Sequence, residues 1–228
     1  MANVDRSAVG RILQQLEALD VLIGESGKYE PGPRLYALAR TVASHDTLPT
    51  AAMSVLNDLV AEFDETCYVC VLHGDSVVFL YSSQSSKPLR YVVEIGRPVP
   101  IHAGASGRSI LTGLPEDEAR RLLESTTLEQ LTDKTECDID ALMMMREADL
   151  DRHYSVSVGE RVADGSAIAA PFFDHTGRCQ GAVVLTAPQS RYRKMRKDEV
   201  GAAVRHAANA LSTRLGAVGL QTSNGLTP

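Results

Sequence analysis

The sequence predicts an α+β fold in two parts: a short N-terminal helix-and-hairpin unit, and a larger domain whose antiparallel sheet is covered by helices. Three observations predict it. Val9, Ile12, Leu13, Leu16 and Leu19 recur at helical spacing and are followed at once by turn residues between two short strand-like runs. From Thr66 onward, β-branched and aromatic runs bounded by turn residues replace that period. Helical patterns flank these runs at both ends of the segment, which is the ordering of a sheet packed under helices.

In chain order, Asn3 or Asp5 caps the first helix, leaving Arg6, Ser7, Gly10 and Arg11 on its polar face. Val21 to Ile23 reads as a strand, Gly24 to Gly27 as a turn and Lys28 to Glu30 as the return strand. This helix-then-hairpin order resembles the second half of a winged helix-turn-helix, the hairpin being the wing. Pro33 is placed to start a helix over Arg34 to Ser44, read as a linker. After punctuation at Asp46 to Pro49, Met53, Leu56, Val60 and Phe63 mark another amphipathic helix.

The larger domain then reads as strands Cys67 to Leu72, Ser76 to Tyr81 and Leu89 to Glu94, with His73-Gly74-Asp75 turning the first pair. Gly104 to Gly107 interrupts the pattern before a short helix at Arg108 to Thr112. Pro115 opens an acidic helix over Glu116 to Glu124, and Ile139 to Asp151 forms the next. Strands return at Tyr154 to Val158, Ser166 to Phe173 and Gln180 to Thr186, before a last helix from Lys197 to Leu215. Gln221 to Pro228 is a polar tail.

Composition narrows the function. The 228 residues are 44% hydrophobic and 23% charged, ordinary for a globular protein, and no run approaches the roughly 18 apolar residues of a membrane span. With no basic n-region and apolar h-region at the start, a cytoplasmic location is expected. Net charge is -6, and residues 1–48 carry five Lys/Arg against six Asp/Glu, a net of -1. DNA contact in that stretch must therefore rest on a few placed arginines and on pairing of two copies, not on a broad positive field.

Catalytic and metal readings find little support. Cys67 and Cys70 form C-x-x-C, but inside a strand pattern, where residues three apart point to opposite faces. No second pair has zinc spacing, so neither metal nor cofactor is expected. His102 with Ser106, or Cys67 with His73, would be the hydrolase pairs, but Ser106 lies outside a G-x-S-x-G elbow. Glu160, Arg161 and Asp164 read as a loop cluster, and the basic run Arg191 to Lys197 as a solvated loop. Met143 to Met145 should divide between core and a helix surface.

Four ordered stretches carry a resemblance: Ser7 to Leu19, Gly27 to Leu35, Pro100 to Leu111 and Ala169 to Asp174. With them, nearly the whole chain resembles the IclR family of bacterial transcriptional regulators. The resemblance implies a winged helix-turn-helix over 1–32, a linker helix over 33–48, a GAF-like effector-binding domain over 49–218 and a flexible tail over 219–228. Family members dimerise, often form tetramers, bind a double-stranded DNA operator and respond to small organic acids.

Carried over residue by residue, Arg6, Ser7, Ala8 and Arg11 would lie on the DNA-reading helix, with Lys28 and Tyr29 in the wing. The chemistry suits those roles, since Arg contacts guanine or phosphate bidentately and Ser suits phosphate oxygens. The effector pocket would use Leu89, Tyr91, His102, Ala105, Ser106, Ser157, Glu160, Ala167, Val184 and Thr186. Gly104 to Gly107 would offer backbone N–H groups at a helix start to a carboxylate. Ala167 and Val184, apolar where some relatives carry Cys or Ser, favour an aliphatic or aromatic acid with an apolar body over a glyoxylate-sized one.

Two departures bear on DNA binding. The family places two helices ahead of the first one here, so the unit reads as truncated at its N-terminus. Asp20 stands where a glycine usually ends the recognition helix, so the helix exit needs another route to its left-handed turn, which Asp tolerates less well. The alternative reading is a ligand-sensing or protein-interaction module that has lost DNA binding.

Overall fold

The structure, a computed structural model, describes residues 6–25, 27–38 and 48–217. They fall into two compact units, Met1–Thr47 and Leu48–Pro228. In the first, helix α1 (Arg6–Ala18) is followed by strands β1 (Leu22–Glu25) and β2 (Lys28–Pro31), paired antiparallel from Leu22↔Pro31 to Glu25↔Lys28. Asp20 does take the left-handed conformation, at φ 55°, and Gly27 turns the hairpin at φ 79°. Residues 33–38 continue as a helix; the rest of the expected linker helix, and the polar tail, lie outside the described residues.

The apolar stripe of α1 is only partly covered. Leu13 and Leu16 are half-buried, whereas Val9, Ile12 and Leu19 are exposed. Among the described residues of this unit, α1, the hairpin and the helix over 33–38 leave those three side chains open.

The second unit is built on one six-stranded antiparallel sheet, ordered β5-β4-β3-β8-β7-β6. Its strands are β3 (Thr66–His73), β4 (Ser76–Ser83), β5 (Pro98–Pro100), β6 (Ser155–Val158), β7 (Gly165–Phe173) and β8 (Cys179–Pro188). Alternation along them makes two cores. On one face Val69, Ile168, Phe172 and Leu185 pack against α2 (Leu48–Phe63) and α7 (Lys197–Arg214), through Leu56, Val204 and Leu211. On the other, Tyr68, Phe79, Ala169 and Val184 pack against α3 (Ala105–Gly113), α4 (Glu116–Ser125) and α5 (Ile139–Arg152). The result is three layers, helices on both sides of the sheet.

Local chemistry explains the helix ends. Pro49, read as punctuation, sits in the first turn of α2, where a missing N–H costs nothing. Glu116, Asp117 and Glu118 put negative charge at the positive end of α4. The Asp138 side chain caps α5 by accepting from the Ala141 N–H at 2.8 Å, and His153 closes it in the left-handed conformation.

Several readings change. Leu89 to Glu94 forms no strand; it lies outside the ladder, and β5 takes the edge beside β4 instead. Helix α3 begins at Ala105, inside the Gly-rich stretch read as an interruption. The basic run is not a free loop: Gln189–Tyr192 forms the short helix α6, Tyr192 is buried, and Arg191 grips the buried Glu65 with bonds of 2.5 and 2.7 Å. Cys67 and Cys70 belong to opposite cores, as their spacing in a strand requires. Met143 is core and Met144 exposed.

Candidate effector cavity

On the second core face, neighbouring strands bring four side chains together: Ser157 of β6 lies across from Ala167 of β7, Ala167 across from Thr186 of β8, and Val184 follows two residues earlier. They floor a cavity of about 540 Å³. The first turn of α3 closes one end with Gly104, Ala105 and Ser106. The segment Tyr91 to Glu94, residues Arg97 to Pro100 and the loop after β6, from Arg161 to Gly165, complete the walls together with Leu131. The volume is within the range of small-molecule sites.

Backbone geometry sets that end of the cavity. Gly104 sits at φ 101°, a conformation only glycine adopts without strain, and a β-carbon on it would touch Ser157 Oγ and the Arg161 Cβ at 3.8 and 3.9 Å. Its N–H donates to Glu160 Oε2 at 3.2 Å. That carboxylate is also bound by Arg108 Nη1 at 2.5 Å, while Arg108 Nε donates to Asp149 at 3.2 Å and Nη2 to the Val156 carbonyl. Glu160 is thus spent on tying α3 to the loop, and its charge is balanced.

Arg161, next in the chain, is in the opposite condition. Its Cζ lies 5.3 Å from the centre of the Phe79 ring, and its Nη1 is buried with no hydrogen-bond partner. Among the described residues it makes no ion pair. Burial lowers its pKa from the usual arginine value, with the Tyr68 and Cys70 side chains the neighbours that act against that fall. The outer wall is hung on Tyr68, whose hydroxyl donates to the Tyr91 carbonyl at 2.9 Å and accepts from the Val93 N–H at 3.0 Å.

Seven of the ten residues singled out for the pocket line this cavity: Tyr91, Ala105, Ser106, Ser157, Ala167, Val184 and Thr186. Three do not. Leu89 is 65% exposed, away from the cavity. His102 is buried behind α3, with Nε2 2.9 Å from the Glu129 carbonyl; because a carbonyl only accepts, that nitrogen carries the proton. Glu160 is held by Arg108 and Gly104. Arg161, dismissed as a loop charge, is the residue the sequence reading missed; no local pattern marks it, because only the fold puts it over Phe79.

Of the residues singled out for DNA, Ser7, Ala8 and Arg11 lie on α1, with Ser7 and Arg11 exposed; Lys28 and Tyr29 are exposed on β2. Arg6 begins α1, its side chain outside the described ones. The Cys67 and His73 pair lies at opposite ends of β3, the thiol buried and pushed far above its ordinary range by desolvation and the His73 side exposed. Among the described residues no helix is long and apolar enough to cross a membrane.

The three-layer domain carries a ligand-sized cavity against its sheet, the architecture of a small-molecule sensor domain. Residues 40–213 match the family model described as bacterial transcriptional regulator IclR C-terminal, and the chain belongs to the IclR family of transcriptional regulators. It is 30% identical over 191 residues to the probable transcriptional regulator SauR of Cupriavidus necator, covering 83% of this chain and 76% of that protein. In fold it is similar to an IclR transcriptional regulator from Alicyclobacillus acidocaldarius, at TM-score 0.81 and 24% identity, covering 93% of this chain and 86% of the other. An IclR homologue from Microbacterium hydrocarbonoxydans, solved as a complex with 4-hydroxybenzoate, is similar at TM-score 0.77 and 22% identity over 93% and 86% of the two chains. The relatives are regulators of transcription, a family without enzymatic activity.

Proposed function

We propose that this regulator binds an operator through α1 and the β1-β2 hairpin, as a homodimer or a pair of dimers in the cytoplasm, and that a small organic acid in the cavity changes that binding. The observation that carries the effector half is the cavity itself: a floor of Ala167 and Val184 beside a positive Arg161 that no carboxylate among the described residues neutralises. Such a site favours an acid with an apolar body. The complex of the Microbacterium hydrocarbonoxydans homologue with 4-hydroxybenzoate agrees in chemistry.

For DNA, Arg11, Lys28 and Tyr29 supply phosphate and base contacts from the helix and wing, with Arg6, Ser7 and Ala8 at the helix start nearest the groove. With a net charge of -1 over residues 1–48, affinity depends on two copies gripping paired half-sites. A gel-shift series on the chain's own promoter tests this. The expected outcome is binding in low salt, weakened about tenfold or more by Arg11→Ala, and altered by acids that bind the cavity. Absence of binding in low salt, both by this chain and by one extended upstream, would reject the DNA half and favour a ligand-sensing module acting through protein contacts.

A further inference from the structure

Resting on the cavity reading above, we infer that Arg161 is the carboxylate anchor of the effector site, selecting a singly charged acid over its neutral isostere and over a diacid. Three independent observations converge on it. The guanidinium is seated over Phe79, so its position is fixed before any ligand arrives. Nη1 is buried without a partner, and a buried unpaired donor is a free-energy cost that an anion removes. Arg161 lines the same cavity as Gly104, Ala105 and Ser106 at the first turn of α3, and a β-carbon on Gly104 would come within 3.9 Å of the Arg161 Cβ.

The neighbouring charges explain why one anionic group and not two. Glu160, the nearest acid in sequence, is bound by Arg108 and so does not neutralise Arg161. Glu94, the one acid among the described residues that lines the wall, lies at the exposed rim, paired with Arg97 at 3.3 Å. One positive group is therefore left over inside the cavity. A carboxylate between Arg161 and the helix start would accept a charge-assisted, potentially bidentate pair of bonds there. Its apolar body would lie along Ala167 and Val184. A second carboxylate would fall on apolar wall or near Glu94.

The test uses the full chain and isothermal titration with benzoate, 4-hydroxybenzoate, hexanoate, benzamide and terephthalate. Arg161→Gln and Arg161→Lys report on the anchor, and Ala167→Phe fills the cavity floor as a check on location. Expected are monocarboxylate binding that Ala167→Phe abolishes, benzamide and terephthalate at least about tenfold weaker than benzoate, loss of that preference in Arg161→Gln and its partial recovery in Arg161→Lys. Comparing benzoate with benzamide on the unaltered protein needs no variant to fold. If Ala167→Phe abolishes binding but Arg161→Gln keeps benzoate within about twofold, or if benzamide equals benzoate, the anchor is wrong and the cavity reading stands. If none of the acids binds, or Ala167→Phe leaves binding unchanged, the cavity reading falls and the anchor with it.

Discussion

Gly107 has no space for a side chain: a β-carbon there would overlap the Ile101 carbonyl oxygen. The glycine lets the first turn of α3 pass against the chain leading into it, which is how Ala105 and Ser106 reach the cavity. Beside it, Arg108 is 3% exposed and holds two carboxylates, one of them Asp149 at 1%. Removing one member of a buried ion network leaves the others uncompensated, so Arg108→Met should cost about 3–5 kcal/mol in urea unfolding. Cys70 makes a different prediction. Burial pushes its thiol from an ordinary value near 9 up to about 12, and Cys179 likewise to about 12. A folded state that holds its proton more tightly than the unfolded chain loses stability as pH rises, so this contribution is complete below pH 9 and falls away toward pH 12. Melting temperatures at pH 7.5 and 10.5 should separate, and Cys70→Ala should narrow the gap.

At the level of elements, the segment from Leu89 to Glu94 shows what composition can and cannot say. Leu89, Tyr91 and Val93 alternate as in a strand, yet a strand exists only where a neighbour supplies a ladder, and here β5 occupies the edge beside β4. The Tyr68 hydroxyl holds the segment by two backbone groups instead. Tyr68→Phe keeps the ring and removes both bonds, so it should destabilise this wall by about 1 kcal/mol per bond. Faster amide exchange at Val93, with the β7 and β8 amides unchanged, is the expected readout; equal exchange would show that the wall is held by other contacts. Pro115 marks the start of α4 because it acts at the level of one residue's backbone, whereas the Gly104 to Gly107 stretch conceals the first turn of α3. The exposed Val9, Ile12 and Leu19 mark the opposite case: helical spacing predicted α1 correctly but not whether its apolar face finds cover.

At the scale of the whole molecule, the larger unit carries the cavity. The sheet with its two cores makes residues 48–217 a scaffold with a fixed cavity. A ligand that binds only the folded form stabilises it by about 2.7 kcal/mol at a hundred times its dissociation constant. Benzoate at that excess should therefore raise the thermal transition of this unit, seen by calorimetry, and leave it unmoved in Arg161→Gln. Much of the plan was legible beforehand. Periodicity and turn residues determined the element order, the strand placement of Cys67 and Cys70, and, through matching stretches, the family and seven of the ten residues now found around the cavity. Those features depend on each residue's near neighbours in sequence, or on a pattern of residues. What the tertiary structure alone decided was which charges are spent. Glu160 and Arg161 are adjacent in the chain, yet Arg108, 52 residues away, takes the first and leaves the second uncompensated. Electrostatic balance in a buried site is set by distances in space, and those are known only after the strands have paired.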